Sequence, residues 1–197
     1  MSFGGSNLYD QIISTITQQV PFDAEAFEAF AARLTAVKLR KHEIWEAEGG
    51  IGTYAGFVNQ GVLRRYSVKD GDEYTEQFFA EGDFVGNYIS YLEQTPAKAS
   101  IDALEEAHLL VLPFTELQAL YQTYPVIQQF AQQVGDQKAS QLQARTASLL
   151  RDSPMERYEA FMREHPGLAL RIPQYYVAQY LGVRPETLSR LRKRSVS

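Results

Sequence analysis

The sequence predicts an α+β protein with an amino-terminal double-stranded β-roll of the jelly-roll type, a long connector helix and a carboxy-terminal helical unit. Three observations predict this order. Short strand-like runs with turns fill residues 37–112, a helical period without proline follows Pro125, and a helix-turn-helix spacing occupies residues 174–193. We expect the β-roll to span residues 1–122, the connector 123–151 and the terminal helical unit 152–197.

The composition is that of a folded protein and excludes several kinds of site. The chain has 197 residues, of which 45% are hydrophobic and 22% are charged, close to the average for globular domains. It contains no cysteine, which excludes disulfides, thiolate metal sites, iron–sulfur clusters and cysteine nucleophiles. No apolar run reaches the roughly 20 residues that cross a bilayer, and Met1 to Tyr9 lack the pattern of a secretion signal. We therefore expect a cytoplasmic protein with no membrane contact.

The β-roll region is predicted from its strands, its turns and the helices before it. Residues 7–35 carry two amphipathic helical patterns separated by Pro21. Glycine and asparagine then mark tight turns, for example at Asp70-Gly71, because these residues tolerate positive φ angles. The predicted strands are Glu43–Trp45, Tyr54–Asn59, Val62–Ser67, Tyr74–Phe79, Phe84–Val85, Ser100–Leu104 and His108–Leu112. Regular short strands of this kind favour a roll or barrel.

The connector is predicted as one helix from Pro125 to about Leu150, with Gly135 as its one glycine. Its apolar stripe is thin and is interrupted by Lys138 and Arg145, so a partly hydrated helix pairing and a tight coiled coil both remain open. We expect the connectors of two subunits to pair in a homodimer. The predicted dimerisation residues are Val126, Phe130, Val134 and Leu142.

The terminal unit carries a helix-turn-helix pattern. A capping-box sequence, Ser153-Pro154-Met155-Glu156, starts a first helix. Further on, Ala178 is small where two helices cross, and Gly182 can adopt the left-handed conformation that turns the chain. Pro185 is suited to the first position of the next helix. The shared core is predicted from Val177, Leu181, Val183, Leu188 and Leu191, and the opposite face presents Glu186, Ser189, Arg190 and Lys193. The alternative is an ordinary helical hairpin that closes a domain.

Charge is distributed unevenly along the chain. From Arg171 onward there are six basic residues and one acidic residue, a net +5. Because the whole chain carries −5, the residues before Arg171 carry −10. A basic end on an acidic body is typical of a protein in which one small module meets phosphate. A solvated charged terminus is the alternative.

The segment from Ile172 to Arg190 resembles the DNA-binding motif of the Crp/Fnr family of transcription regulators. Residues 57–66 and 78–86 are similar to the cyclic-nucleotide-binding β-roll of that family. Both halves occur in the family's order, so the resemblance covers nearly the whole chain. It implies a homodimeric, sequence-specific regulator without enzymatic activity that binds a palindromic operator in double-stranded DNA.

The resemblance implies that Glu186, Thr187 and Arg190 read bases. Arginine can bond to guanine through two hydrogen bonds, and glutamate can accept from cytosine. Pro185 stands where the family often has arginine, so one base contact is expected to be absent. The other residues expected on DNA are Arg184, Ser189, Arg192, Lys193 and Arg194. The sequence ends at Ser197, which leaves open whether a β-hairpin wing contacts the DNA backbone.

The resemblance also indicates where a small-molecule effector would bind. The family holds the ribose of a cyclic nucleotide with a Gly-Glu pair and the phosphate with an arginine. Here the glutamate position is Asn87, the arginine position is Ala97, and Lys98 is one residue away. The candidate effector residues are therefore Asn87, Lys98 and Ser100. We expect the effector, if one exists, to differ from cyclic AMP.

Two other functions remain to be separated from DNA binding. Metal-dependent cupin enzymes share the β-roll shape, but they need clustered ligands, and His42, His108 and His165 are scattered along the chain. We therefore expect no metal and no cofactor. The remaining alternative is a ligand-binding β-roll module that acts through protein–protein contacts.

Overall fold

The computed structural model describes residues 8–195. The predicted first helix includes Asn7, and the open question of a wing concerns Ser197; both residues lie outside this range. The helices are α1 (Asp10–Thr17), α2 (Ala24–Ala31), α3 (Tyr88–Glu93), α4 (Phe114–Thr123), α5 (Pro125–Arg151), α6 (Pro154–Glu164), α7 (Leu168–Arg171), α8 (Gln174–Leu181) and α9 (Pro185–Ser195). The strands are β1 (Thr35–Leu39), β2 (Ile44–Glu46), β3 (Tyr54–Gln60), β4 (Leu63–Lys69), β5 (Asp72–Phe79), β6 (Phe84–Val85), β7 (Ser100–Ala103) and β8 (Ala107–Pro113).

The predicted β-roll is confirmed as two antiparallel four-stranded sheets. Their strand orders are β1-β8-β3-β6 and β2-β7-β4-β5. The β4–β5 hairpin turns at Asp70 and Gly71, whose φ angles of 55° and 88° match the twist of the flanking strands. Consecutive strands therefore alternate between the two sheets, except at this hairpin, whose two strands belong to the same sheet. Apolar side chains from both sheets fill the interior of the roll and form its first core.

A second apolar core lies between the β1-β8-β3-β6 sheet and the helices around it. It joins Ile12 and Phe30 of the first two helices to Phe57 and Leu110 of the sheet. Phe130, in the second turn of α5, is 4% exposed and belongs to the same core. The first part of the connector is therefore packed on the β-roll.

A third apolar core holds the terminal helices α6, α8 and α9 together. Its β-roll members are Val62, Phe78 and Leu104, which lie among the buried side chains of the helices. The capping box predicted at the start of α6 is present, with Ser153 and Glu156 bonded in both directions. The terminal helices thus share this third core with part of the β-roll.

Three elements are not predicted by the sequence pattern. Strand β1 follows directly on the helical pattern of α2. Most of its residues are exposed, and they do not alternate between buried and exposed positions as a typical half-buried strand does. Helices α3 and α7 have only six and four residues, too few for a helical period to be recognised. Within residues 8–195, no helix is long and apolar enough to cross a membrane.

Candidate nucleic-acid interface

Helices α8 and α9 form the predicted helix-turn-helix. Gly182 ends α8 with φ of 65° and ψ of 36°, the left-handed conformation expected there. The backbone N–H of Val183 donates to Ala178 O at 3.0 Å, and that of Gly182 donates to Gln179 O at 3.0 Å. A β-carbon at Gly182 would lie 3.2 Å from the side chain of Leu149 in α5. The turn therefore favours glycine, and a β-carbon at this position would also force the Leu149 side chain to shift.

The inner faces of α8 and α9 are buried and fix the angle between the two helices. Ala178 is fully buried at the crossing, and Leu188 and Leu191 of α9 lie in the same core. From α6, Arg157 donates through Nε to Leu181 O at 2.9 Å. A positive charge at the carboxyl end of a helix is favourable because that end of the helix dipole is negative. The motif is thus held by apolar packing and by a cation at the end of α8.

The outer face of α9 is exposed and rich in cations. Thr187 is half-buried and accepts a hydrogen bond from Arg190 Nη2 at 3.3 Å. The exposed residues of α9 and of the preceding turn are Arg184, Glu186, Ser189, Arg190, Arg192, Lys193 and Arg194. Every residue of the DNA-contact set predicted from the sequence therefore lies on α9 or in the turn before it.

Arg171 has a different environment from the other basic residues of the terminal unit. Its guanidinium bonds to both carboxylate oxygens of Glu81, at 2.7 and 2.9 Å, and also bonds to Glu105. Burial alone would raise the pKa of Glu81, but hydrogen bonds from Arg171 and from Gly61 N lower it to about 2. These pairs join α7 to the turns of the β-roll. The positive charge of Arg171 is therefore directed at the roll rather than at α9.

The candidate effector residues do not line one surface. Asn87 is 3% exposed; its Oδ1 accepts from Arg65 Nη1 at 2.8 Å and its backbone N–H donates to Glu46 at 2.9 Å. Ser100 is also buried, and its hydroxyl oxygen accepts from a backbone N–H at 2.9 Å. Lys98, in contrast, is exposed. The structure therefore places two of the three inside the roll and the third on its surface.

The interior around Asn87 is polar but well satisfied. Burial raises the pKa of Glu46, although hydrogen bonds from the backbone of Thr53 and Asn87 oppose this rise. Arg65 bridges Asn87 and Glu76, with a distance of 3.0 Å from Nε to the carboxylate. Ala97, at the position where the family has arginine, is 6% exposed. The groups available to an anionic ligand here are already bonded to one another.

The predicted dimerisation residues divide into two sets. Val126, Phe130 and Val134 pack on the β-roll core of their own chain, whereas Leu142 is 62% exposed. The exposed stripe that was expected to run through Phe130 is therefore not found there. Helical periodicity identifies an apolar face but does not say which neighbour covers it.

Sequence reasoning missed the residues that join the terminal unit to the β-roll. Arg64 and Arg65 alternate on β4, which indicates opposite faces but not that Arg64 is almost completely buried. Gln179 and Arg145 gave no signal, since their partners lie far away in the sequence. Among the described residues, no group of three or more histidine or acidic side chains could hold a metal ion, and the three histidines remain separate.

Comparison with known proteins finds a family model for the β-roll and solved structures for the fold as a whole. Residues 36–124 match the family model of the cyclic nucleotide-binding domain. FixK2 from Bradyrhizobium japonicum superposes with a TM-score of 0.73 at 21% identity, over 82% of this chain and 83% of that one. The chain has the Crp/Fnr fold, and its β-roll matches the cyclic nucleotide-binding domain over residues 36–124.

Two further solved structures share the Crp/Fnr fold. One is the c-di-GMP-responsive global regulator CLP from Xanthomonas campestris, with a TM-score of 0.69 at 19% identity over 87% of this chain and 91% of that one. The other is a protein from Eubacterium rectale assigned to the Crp/Fnr family of transcriptional regulators, with a TM-score of 0.69 at 16% identity over 97% and 88%. No curated protein matches the sequence significantly.

Proposed function

We propose that this chain is a homodimeric transcription regulator that binds specific sequences in double-stranded DNA through α9. The observation that carries the proposal is the two-sided character of this helix. The side of α9 that carries Leu188 and Leu191 is buried, while its other side presents arginines, a glutamate and hydroxyl groups to solvent. A helix of this kind fits the major groove, where base edges differ in their donors and acceptors.

Within this proposal the residues of α9 have two roles. Arg190 and Glu186 lie one turn apart and contact a guanine and an adjacent cytosine, with Thr187 bonded to Arg190 beside them. Ser189 faces the same groove. The remaining cations, Arg184, Arg192, Lys193 and Arg194, contact phosphates. Because the residues before Arg171 carry −10, the rest of the molecule is repelled from DNA and α9 is the surface that docks.

The dimer is proposed to form along the second half of α5. Leu142 is 62% exposed and Leu149 is 38% exposed, seven residues further on. The full stripe has alternating spacings of four and three residues and is exposed throughout: Gly135, Ala139, Leu142, Thr146 and Leu149. This is the seam of a two-stranded coiled coil, and its small residues allow close approach at one end. A two-fold dimer presents two copies of α9 to a palindromic operator.

A small-molecule effector, if present, is proposed to differ from cyclic AMP. The amide oxygen of Asn87 already accepts from Arg65, and Ala97 offers no charge to a cyclic phosphate. The remaining candidates are Asn87, Lys98 and Ser100, of which Lys98 would have to move. Calorimetric titration with cyclic AMP should give no heat of binding at micromolar concentrations. Micromolar or tighter binding contradicts this part of the proposal and assigns the phosphate to Lys98.

DNA binding itself is tested by a mobility shift with fragments of the host genome at two salt concentrations. We expect a subset of fragments to remain bound at higher salt, because specific contacts persist while counterion release weakens non-specific ones. If the higher salt concentration weakens the binding of all fragments equally, sequence-specific binding is contradicted. No shift at either salt favours the alternative, a β-roll module that acts through protein contacts.

A further inference from the structure

Helix α8 lies along the edge of a β-sheet in the roll. Strand β5 is the last in the order β2-β7-β4-β5, so one side of its backbone has no neighbouring strand within residues 8–195. Such edges expose carbonyl groups and are commonly covered by another element. Gln179 of α8 donates through Nε2 to Glu73 O at 2.6 Å, and its Oε1 accepts from the Thr75 hydroxyl at 2.7 Å. Both ends of the amide are therefore bonded to the edge strand.

Arg145 bonds the connector to both units at one point. From α5, its Nη2 donates to Tyr180 O of α8 at 2.9 Å and to Thr75 O of β5 at 3.3 Å. Its guanidinium carbon also lies 4.4 Å from the centre of the Tyr180 ring. Arg145 Nε is buried without a hydrogen-bond partner in the described part of the chain. The residue is held in this place although one of its donors is unsatisfied.

The third contact covers a buried charge. Arg64 of β4 is 1% exposed; it donates twice to Asp102, at 3.0 and 2.9 Å, and once to Glu73 at 2.7 Å. Its guanidinium carbon lies 4.0 Å from the ring centres of both Tyr66 and Tyr176. Tyr66 belongs to the same strand as Arg64, but Tyr176 belongs to α8. Undocking of the terminal unit removes one of the two aromatic faces from this cation.

Apolar packing continues beneath these polar contacts. Phe78 of β5 lies 5.2 Å from Tyr180 of α8 and 6.3 Å from Phe161 of α6, measured between ring centres. Residues of the edge strand, the connector and the terminal unit therefore meet in one small region. The hydrogen bonds there fix the orientation of α8 on β5, and the aromatic rings bury apolar surface.

We propose that Tyr176, Gln179 and Arg145 form a docking clamp that holds the helix-turn-helix on edge strand β5 in one orientation and thereby sets the affinity for two-half-site DNA. The three residues act as positioning residues, since they face the roll rather than the groove-facing side of α9. A preorganised dimer engages its second half-site without a further ordering cost. A loosened clamp restores that cost, while each helix-turn-helix keeps its own half-site contacts. The DNA-binding part of this inference rests on the proposed function; the clamp itself does not.

The clamp is tested by distance measurements between spin labels. The chain has no cysteine, so the double variant Lys41→Cys, Glu159→Cys places one label on the roll and one on α6, at exposed positions. Labelled protein is mixed with excess unlabelled protein, so that each labelled dimer carries labels on one subunit. We expect one narrow distance distribution, and a clearly broader one when Gln179→Ala or Tyr176→Ala is added.

Affinity is then measured on a selected full operator and on its isolated half-site. Gln179→Ala and Tyr176→Ala should each weaken full-site binding by about 10-fold and half-site binding by less than about twofold. Tyr175→Ala is the matched control, because Tyr175 precedes Tyr176 on α8 and is 52% exposed. It removes an edge-on ring contact with Tyr176, 5.6 Å between ring centres, but keeps the Tyr176 ring that covers Arg64. It should change neither the distances nor the ratio of affinities. Thr75→Val, a nearly isosteric change in the roll, should reproduce part of the Gln179→Ala effect and should not add to it.

Each other outcome overturns a defined part of the inference. A narrow distribution in both Gln179→Ala and Tyr176→Ala shows that these residues do not hold the unit. Broad distributions with equal or tighter full-site binding show that the clamp does not favour DNA binding. Equal losses on full and half sites assign the effect to the helix-turn-helix itself. If the unaltered protein binds no DNA, the proposed function fails, and the distances still decide whether the clamp exists.

Discussion

Replacement of Arg64 by methionine tests how the buried charge on β4 contributes to stability. Methionine keeps most of the side-chain volume but leaves Asp102, whose side chain is 8% exposed, without its two N–H donors. Glu73 is less affected, because its side chain is 38% exposed and can turn to water. Removing one partner of a buried ion pair costs about 3–5 kcal/mol. The free energy of unfolding of a folded protein is roughly 5–15 kcal/mol, so Arg64→Met should remove a large share of it.

The measurement is urea unfolding followed by circular dichroism at one fixed protein concentration, because association contributes to the apparent stability of a dimer. Lys38→Met is the control. Lys38 also lies on a strand, and it pairs with Glu106 through side chains that are 58% and 57% exposed, so its loss should cost about 1 kcal/mol or less. The double variant Arg64→Met, Asp102→Leu should recover most of the stability, since it removes the uncompensated carboxylate.

Two results would refute this reasoning. If Arg64→Met costs no more than Lys38→Met, the burial of the guanidinium does not make the ion pair important for stability. If the double variant is as unstable as Arg64→Met alone, the loss comes from packing against Tyr66 and Tyr176 rather than from the buried, uncompensated charge of Asp102.

Two further predictions concern association and pH. Leu142→Glu should shift the protein toward monomer in sedimentation equilibrium, because the carboxylate enters the proposed seam of α5; Gln143→Glu is the control, and an unchanged dimer would place the interface elsewhere. Arg171→Gln should lower the urea midpoint above pH 4.5, and its difference from the unaltered protein should shrink as the pH falls from 4.5 to about 2. The reason is that the paired Glu81 has a pKa lowered from 4.5 to about 2, so its contribution is present above 4.5 and is lost as the carboxylate protonates; a constant difference across this range would assign the effect to another group.

The helix-turn-helix was predictable because its signals are local. Gly182 must turn the chain with positive φ, Pro185 suits the start of a helix, and the apolar period between them predicts the shared core. The β-roll strands were predictable for a similar reason, since turn residues such as Gly71 separate them. Short-range geometry restricts the conformation of these segments before any tertiary contact forms.

The contacts between units were not predictable because they depend on the path of the whole chain. The amide of Gln179 bonds to β5 across 104 and 106 residues of sequence, and nothing near Gln179 indicates this. Phe130 shows the same limit, since its helical face is evident but its neighbours in α1, α2 and the sheet are not. The residue roles on DNA follow from the type and exposure of the side chains of α9, and they stay predictions.

Base reading by α9 is tested most directly by selecting preferred sequences from random duplex DNA with the unaltered protein, Arg190→Ala and Arg192→Ala. The account predicts a palindromic site for the unaltered protein, and for Arg190→Ala a loss of preference at one base pair of each half-site, with roughly 1–3 kcal/mol lost per half-site. Arg192→Ala should keep the same preferred sequence, weaken all sites alike and reduce the slope of log affinity against log salt by about one unit per contact. An unchanged preferred sequence with Arg190→Ala would contradict the docking of α9 in the major groove.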